Sequence, residues 1–240
     1  IVGRTDSFGS GSTDALVVKF NPYGGVIWAK TFGGNGIDYI AEIVQTSDGG
    51  YLLAGTYGSG PAGGDDAFIV KLTATGTASW YRYIGGSGNE SANHIKATSD
   101  GGYIITGATD SYGLGNGDIF VVKVTSGNTV AWARTTGTSG SDFGADVIET
   151  SDGGFLVAGA VNSPGGPNSD VLLVKYNSAG TQQWNRLIGT VAASMYWDTI
   201  RAVMQTADGG YLLSTGLSNF ANQYARGALM KVDSTGVFVW

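Results

Sequence analysis

The chain contains no cysteine, which excludes disulfides, thiolate metal centres and cysteine nucleophiles. Lys and Arg together number 13 against 19 Asp and Glu, and the net charge of −6 with a pI near 4.6 argues against phosphate-backbone binding, which needs clustered cations to release counterions. Nucleic acid is therefore not an expected partner. No apolar run reaches the ~18 residues that a membrane-spanning helix requires. Charged residues make up only 13% of the sequence while glycine occurs 41 times, a balance that points to many short strands and tight turns rather than charged amphipathic helices. The single histidine, His94, has no serine elbow or metal-ligand partner in evidence and reads as a core or channel-facing residue. The opening Ile1-Val2-Gly3 is neither a signal peptide nor an initiator, so any targeting segment has been removed or never included.

What the sequence does contain is a repeat. The stretch Thr46-Ser47-Asp48-Gly49-Gly50-Tyr51-Leu52-Leu53-Ala54-Gly55 returns at 98–107, at 150–159 and, slightly altered, at 206–216. Asp48, Asp100, Asp152 and Asp208 are separated by 52, 52 and 56 residues, and the same intervals space Lys71, Lys123, Lys175 and Lys231 and the tryptophans 80, 132, 184 and 240; Lys19 and Trp28 extend both series by a further 52 residues. A fixed period of this length marks a stack of equal supersecondary units. With 42% hydrophobic residues to fill a core, the chain reads as one all-β domain over 1–240, in repeats of about 1–33 (partial), 34–85, 86–137, 138–189 and 190–240.

Each unit holds four strand-like segments, A to D, rich in Val, Ile, Tyr and Trp and bounded by Gly, Asp, Asn or Ser. In the second unit these are 38–46, 51–56, 67–72 and 78–84. Asp48-Gly49-Gly50 supplies the positive-φ residues of a tight hairpin between A and B, and Gly76 does the same between C and D. The unit is thus a four-stranded antiparallel meander. Segments B and C are nearly continuous apolar runs, as expected of strands covered on both faces. Segment D carries a Trp followed two residues later by a base (Trp28/Lys30, Trp80/Arg82, Trp132/Arg134, Trp184/Arg186). The expectation is that the Trp packs on the neighbouring unit while the cation guards an exposed edge. The Lys closing every segment C reads as scaffold.

Four antiparallel strands at this period are the signature of a β-propeller. The Gly-Gly turn, the strand after it and the later Gly-x-x-x-Trp (Gly76 to Trp80, Gly180 to Trp184) resemble Kelch-type repeats. Gly33-Gly34-Asn35-Gly36-Ile37-Asp38 and Gly85-Gly86-Ser87-Gly88-Asn89-Glu90, each followed by Ser-Asp-Gly-Gly-Tyr, are similar to the SBBP repeats of bacterial and archaeal β-propellers. The resemblance spans essentially the whole chain and implies architecture, with secreted or surface binding roles and no catalytic residues to carry over. Gly3 aligns with Gly55 and Trp240 with Trp28, so the first unit lacks its segment A, innermost in Kelch-like blades. The expectation is a longer natural chain, or else closure by a neighbouring molecule's strand. Absence of cysteine, abundant Gly, Ser and Thr, the sequon Asn89-Glu90-Ser91 and the resemblance favour an extracellular or cell-surface location.

In such a meander the A–B and C–D turns fall on one face, and the long B–C and D–A connections on the other. Loops on a rigid scaffold are where binding resides. The long-loop face carries two rings of acids: Asp14, Asp66, Asp118 and Asp170 open segment C, and Asp38, Glu90, Asp142 and Asp198 open segment A. The second ring is the candidate Ca²⁺ site, since carboxylates with glycine-loop carbonyls suit that cation; alternatively, each acid accepts N–H bonds within its own blade. The last unit departs from the repeat with Trp197, Arg201, Phe220, Asn222, Tyr224 and Arg226, and Phe8 and Tyr112 stand at loop positions near that of Phe220. Aromatics beside amides and Arg suit a glycan or protein ligand, or they fill gaps between blades. The sequence reading is a non-enzymatic binding module or a building block packed against neighbouring copies, with a glycoside-active enzyme as the alternative.

Overall fold

The computed structural model describes residues 1–162, 169–188, 199–219 and 224–240, with the backbone alone at 217–219 and 224–226. Every regular element among them is a strand, and no helix is long and apolar enough to cross a membrane. Five antiparallel sheets follow in chain order: β1 (Val2–Thr5), β2 (Asp14–Phe20) and β3 (Val26–Phe32); β4 (Tyr39–Gln45), β5 (Tyr51–Tyr57), β6 (Asp66–Leu72) and β7 (Ala78–Ile84); β8 (Glu90–Ala97), β9 (Tyr103–Thr109), β10 (Asp118–Val124) and β11 (Val130–Thr136); β12 (Phe143–Glu149), β13 (Phe155–Asn162), β14 (Ser169–Tyr176) and β15 (Gln182–Ile188); and β16 (Thr199–Gln205), β17 (Tyr211–Asn219) and β18 (Tyr224–Val232). Each sheet is a plain up-and-down meander, because every strand pairs with the next along the chain. Beyond β18, Phe238 bridges to Val232.

The sheets lie face to face, with β4, β8, β12 and β16 adjacent to one another, as the inner strands of propeller blades are. The core is accordingly a series of layers between sheets. Leu52 and Ala54 of β5 face the layer shared with Ile95, Tyr103 and Ile105, whereas Leu53 faces the opposite layer with Val17 and Phe32. Likewise Ile105 and Ile104 of β9 enter different layers. Period-two geometry sends successive side chains to opposite faces, so a strand covered on both sides must be apolar throughout.

Trp28, Trp80, Trp132 and Trp184 each pack on the aromatic that opens the next sheet's second strand, Tyr51, Tyr103, Phe155 and Tyr211, at centroid distances of 6.0, 5.8, 5.7 and 6.2 Å. The base beside the Trp does more than guard an edge. Arg82 Nε donates to Asn128 Oδ1 at 3.0 Å and Arg134 Nε to the Gly180 carbonyl at 2.8 Å, so these cations tie their sheet to the turn of the next one. The lysines also have partners: Lys71, Lys123, Lys175 and Lys231 reach Asp48, Asp100, Asp152 and Asp208 of the Asp-Gly-Gly turns at 2.8–2.9 Å. Each pair cross-links the two hairpins of one sheet.

Candidate functional site

Two places on this scaffold carry chemistry. One is the row of inner strands, where a bulge recurs between Ile40 and Glu42, Ala92 and His94, Gly144 and Asp146, and Ile200 and Ala202. A bulge leaves a residue unpaired and re-aims its neighbours. Next to it, His94 Nδ1 lies 3.0 Å from Asp146 Oδ1 and 3.5 Å from the Val147 nitrogen. Nδ1 cannot serve both, and Asp146 Oδ1 is buried with no other hydrogen-bond partner. We therefore assign the proton to Nδ1, donating to Asp146. Asp146 Oδ2 accepts from the Val203 nitrogen at 2.8 Å, so a polar chain joins β8, β12 and β16. Sequence reading gave His94 no partner. The available signal was the equivalent position, which reads Glu42, His94, Asp146 and Ala202 while the residue after it stays apolar as Ile43, Ile95, Val147 and Val203.

The other place is the long-loop face. Asp38, fully buried, accepts N–H bonds from Gly34 (2.7 Å) and Gly58 (2.8 Å). Burial pushes its carboxyl above the usual range, those two bonds opposing the shift and the Asp14 charge adding to it. Glu90 accepts from the Gly86 nitrogen (2.7 Å), the Thr109 hydroxyl (2.7 Å) and the Ser111 nitrogen (3.1 Å). Asp142 accepts from the Thr138 nitrogen and from the Asn162 nitrogen (2.8 Å). Each of these acids thus joins the loop before its strand to the loop after the next. Asp198 lies outside the described residues.

The two acidic rings, separate in the repeat, are brought together in pairs where sheets meet. A Cβ placed on Gly85 would collide with Asp66 Oδ1 and stand 2.9 Å from Glu90 Oε2; one on Gly33 would meet Asp14 Oδ1 and Asp38 Oδ2, and one on Gly137 would meet Asp142 Oδ2 and Asp118 Oδ1. A glycine is required there because two carboxylates occupy the space. All six acids are buried, at 0–4% exposure.

Beside the Asp66 and Glu90 pair, between the second and third sheets, opens a cleft of about 300 Å³ with Ile84, Phe120 and Val122 on its walls and Glu90, Tyr112 and Arg134 as its polar lining. Tyr112 is 57% exposed, its hydroxyl 3.4 Å from the Gly85 carbonyl. Phe8 is exposed in the corresponding loop of the first sheet, and Arg201 is exposed at the β16 bulge. Trp197, Phe220 and Asn222 lie outside the described residues, as do the side chains of Tyr224 and Arg226 on β18.

Four-stranded antiparallel sheets stacked with their first strands inward define an all-β propeller-type protein. Solved structures agree on the fold: the endo-arabinase of Bacteroides thetaiotaomicron VPI-5482 superposes with a TM-score of 0.50 at 11% identity, over 82% of this chain and 77% of that one. A puromycin hydrolase superposes with a TM-score of 0.52 at 15% identity, over 95% of this chain and 34% of that one. In sequence, the regulatory protein FlaEY of Caulobacter vibrioides is 26% identical over 160 residues, which cover 59% of this chain and 16% of that protein. No family model matches the chain.

Proposed function

We propose that this is a non-enzymatic recognition module, a Kelch-like or SBBP-type propeller at the cell surface or outside the cell, that binds a glycan or protein ligand through its long-loop face. The observation that carries the reading is the Tyr112 cleft: an apolar recess with an exposed aromatic, a carboxylate and a guanidinium, set among loops held by a rigid scaffold. Arg201, Phe8 and the last unit's Trp197, Phe220, Asn222, Tyr224 and Arg226 belong to the same proposal, and Ca²⁺ at Asp38, Glu90, Asp142 and Asp198 is its cofactor.

The glycoside-active alternative needs two carboxylates flanking a sugar, about 5 Å or more apart. The paired carboxylates here are buried and converge on a glycine, and the endo-arabinase likeness concerns the fold alone.

The test is binding to glycan and peptide arrays with and without Ca²⁺. Tyr112→Ala removes an exposed ring without touching the core, and is expected to weaken a hit at least about tenfold with an unchanged melting temperature. A hit indifferent to Tyr112, Phe8, Trp197 and Tyr224 alike would sink the proposal. Self-association with no array hit would favour a structural role instead.

A further inference from the structure

Asp66 is completely buried, and while its Oδ2 accepts the Ala62 nitrogen at 3.0 Å, its Oδ1 has no hydrogen-bond partner. That oxygen and Glu90 Oε2 lie 1.7 and 2.9 Å from the point where a Cβ on Gly85 would stand, so the two oxygens are within about 5 Å of each other. None of the ion pairs among the described residues involves Asp66 or Glu90, nor the matching acids Asp14, Asp38, Asp118 and Asp142. A buried carboxylate oxygen without a hydrogen-bond partner, set beside a second carboxylate oxygen, is a donor set that a cation would complete.

Deepening the Ca²⁺ proposal above, on which it rests, we infer that the cation is held between the two acidic rings rather than within one, with Asp66 Oδ1 and Glu90 Oε2 as its carboxylate ligands at the seam of the second and third sheets. The chemistry fits a hard divalent cation. Ca²⁺ takes oxygen ligands at roughly 2.3–2.6 Å and tolerates irregular geometry, so one ion spans two oxygens up to about 5 Å apart. Among the described residues no three acidic or imidazole side chains converge, so the rest of the shell comes from backbone carbonyls of the glycine-rich loops and from water. Two carboxylates and neutral oxygens give a weak site, of the ~10⁻⁴–10⁻³ M class found in extracellular modules. Asp14 with Asp38 and Asp118 with Asp142 repeat the arrangement at neighbouring seams. A cation there would also order the Gly85 and Tyr112 edge of the cleft.

The experiment is calorimetric titration of the chelator-treated 240-residue chain with CaCl₂, paired with thermal melts, for wild type, Asp66→Asn and Glu90→Gln. Saturable binding is expected, with the melting temperature rising by about 3–6 °C for each site at tenfold excess over Kd. Both variants are expected to lose the same one equivalent of bound Ca²⁺. Glu90→Gln could disturb its loop bonds, but Asp66→Asn keeps shape and leaves the Oδ2 contact in place, so a folded Asp66→Asn protein decides the matter. Binding unchanged in Asp66→Asn but lost in Glu90→Gln overturns the seam while sparing the ring reading. No saturable binding up to about 10 mM overturns both. Melting raised in Asp66→Asn with Ca²⁺ inert would show that the second carboxylate is a cost of packing rather than a ligand and likewise overturns the inference.

Discussion

Gly107→Ala is expected to cost about 3–5 kcal/mol, a large part of the ~5–15 kcal/mol that holds a domain folded. The residue lies on β9 opposite the bulge in β8, and an added Cβ would collide with the Ser91 carbonyl and come within 2.9 Å of the Phe120 ring. Backbone cannot swing aside as a flexible side chain would. The same obstruction meets Gly55 at the Tyr39 carbonyl and Gly159 at the Phe143 carbonyl, so the glycine belongs to the bulge and not to a turn. Two controls isolate the cause. Gly153 has φ of +75° with nothing within 4 Å, so Gly153→Ala is expected to cost only the ~1–2 kcal/mol of a left-handed residue with a side chain. Gly3 stands at the equivalent of Gly55, where β1 has no inner strand beside it and a Cβ meets nothing within 4 Å; Gly3→Ala in the 240-residue chain is expected to be near neutral. Urea melts rank the three. Equal losses at Gly107 and Gly153 would mean that backbone conformation, not the bulge, is what the glycine serves.

Much of the fold is legible because the repeat superposes each unit on the next. The four strands expected in the second unit match β4 to β7 to within a residue at either end, and the stacking of each Trp on its neighbour follows from period-two geometry. Relations between units are a different matter. Aligned repeats place Asp66 under Asp118 and Glu90 under Asp142, yet the pair that meets is Asp66 with Glu90, which belong to successive sheets. The partnership of His94 with Asp146 and the reach of Arg134 to Gly180 were hidden for the same reason. The Asp-Gly-Gly turn and the lysine closing segment C are both plain in the sequence, but their contact depends on how two hairpins of one sheet fold over one another, which spacing alone does not state.

That contact yields the second large effect, an asymmetry between its partners. Lys175 is 3% exposed, and its ammonium is met by both oxygens of Asp152 (3.0 and 2.9 Å), the Tyr176 carbonyl and Gln183 Oε1, whereas the Asp152 side chain is 55% exposed. Asp152→Ala leaves a buried cation with neutral acceptors only. The loss expected for breaking a buried pair, ~3–5 kcal/mol, is reduced here to about 2–3 because water reaches the carboxylate side. Lys175→Met instead buries an apolar chain of similar length and leaves Asp152 to water and to its bonds from Thr150 and Gly154, at a cost of about 1 kcal/mol or less. The carboxylate's own titration gives a pH signature. Burial pushes Asp100 and Asp152 up, but hydrogen bonds from Lys123 and Thr98, and from Thr150 and Lys175, outweigh it and hold both at about 2 against an ordinary 3.8. A folded-state value below the unfolded one contributes stability that is complete above pH ~4 and drains away as the pH falls towards ~2. Asp38, raised by burial, runs the opposite way, favouring the fold at low pH and losing that contribution as the pH rises through its titration. Four lysine-bound acids are depressed, Asp48 and Asp208 included, so the net expectation is acid destabilisation below pH 4. Lys175→Met should flatten part of that slope, and a wild-type melting temperature unchanged between pH 5 and about 2 would show that these pairs do not hold the hairpins together.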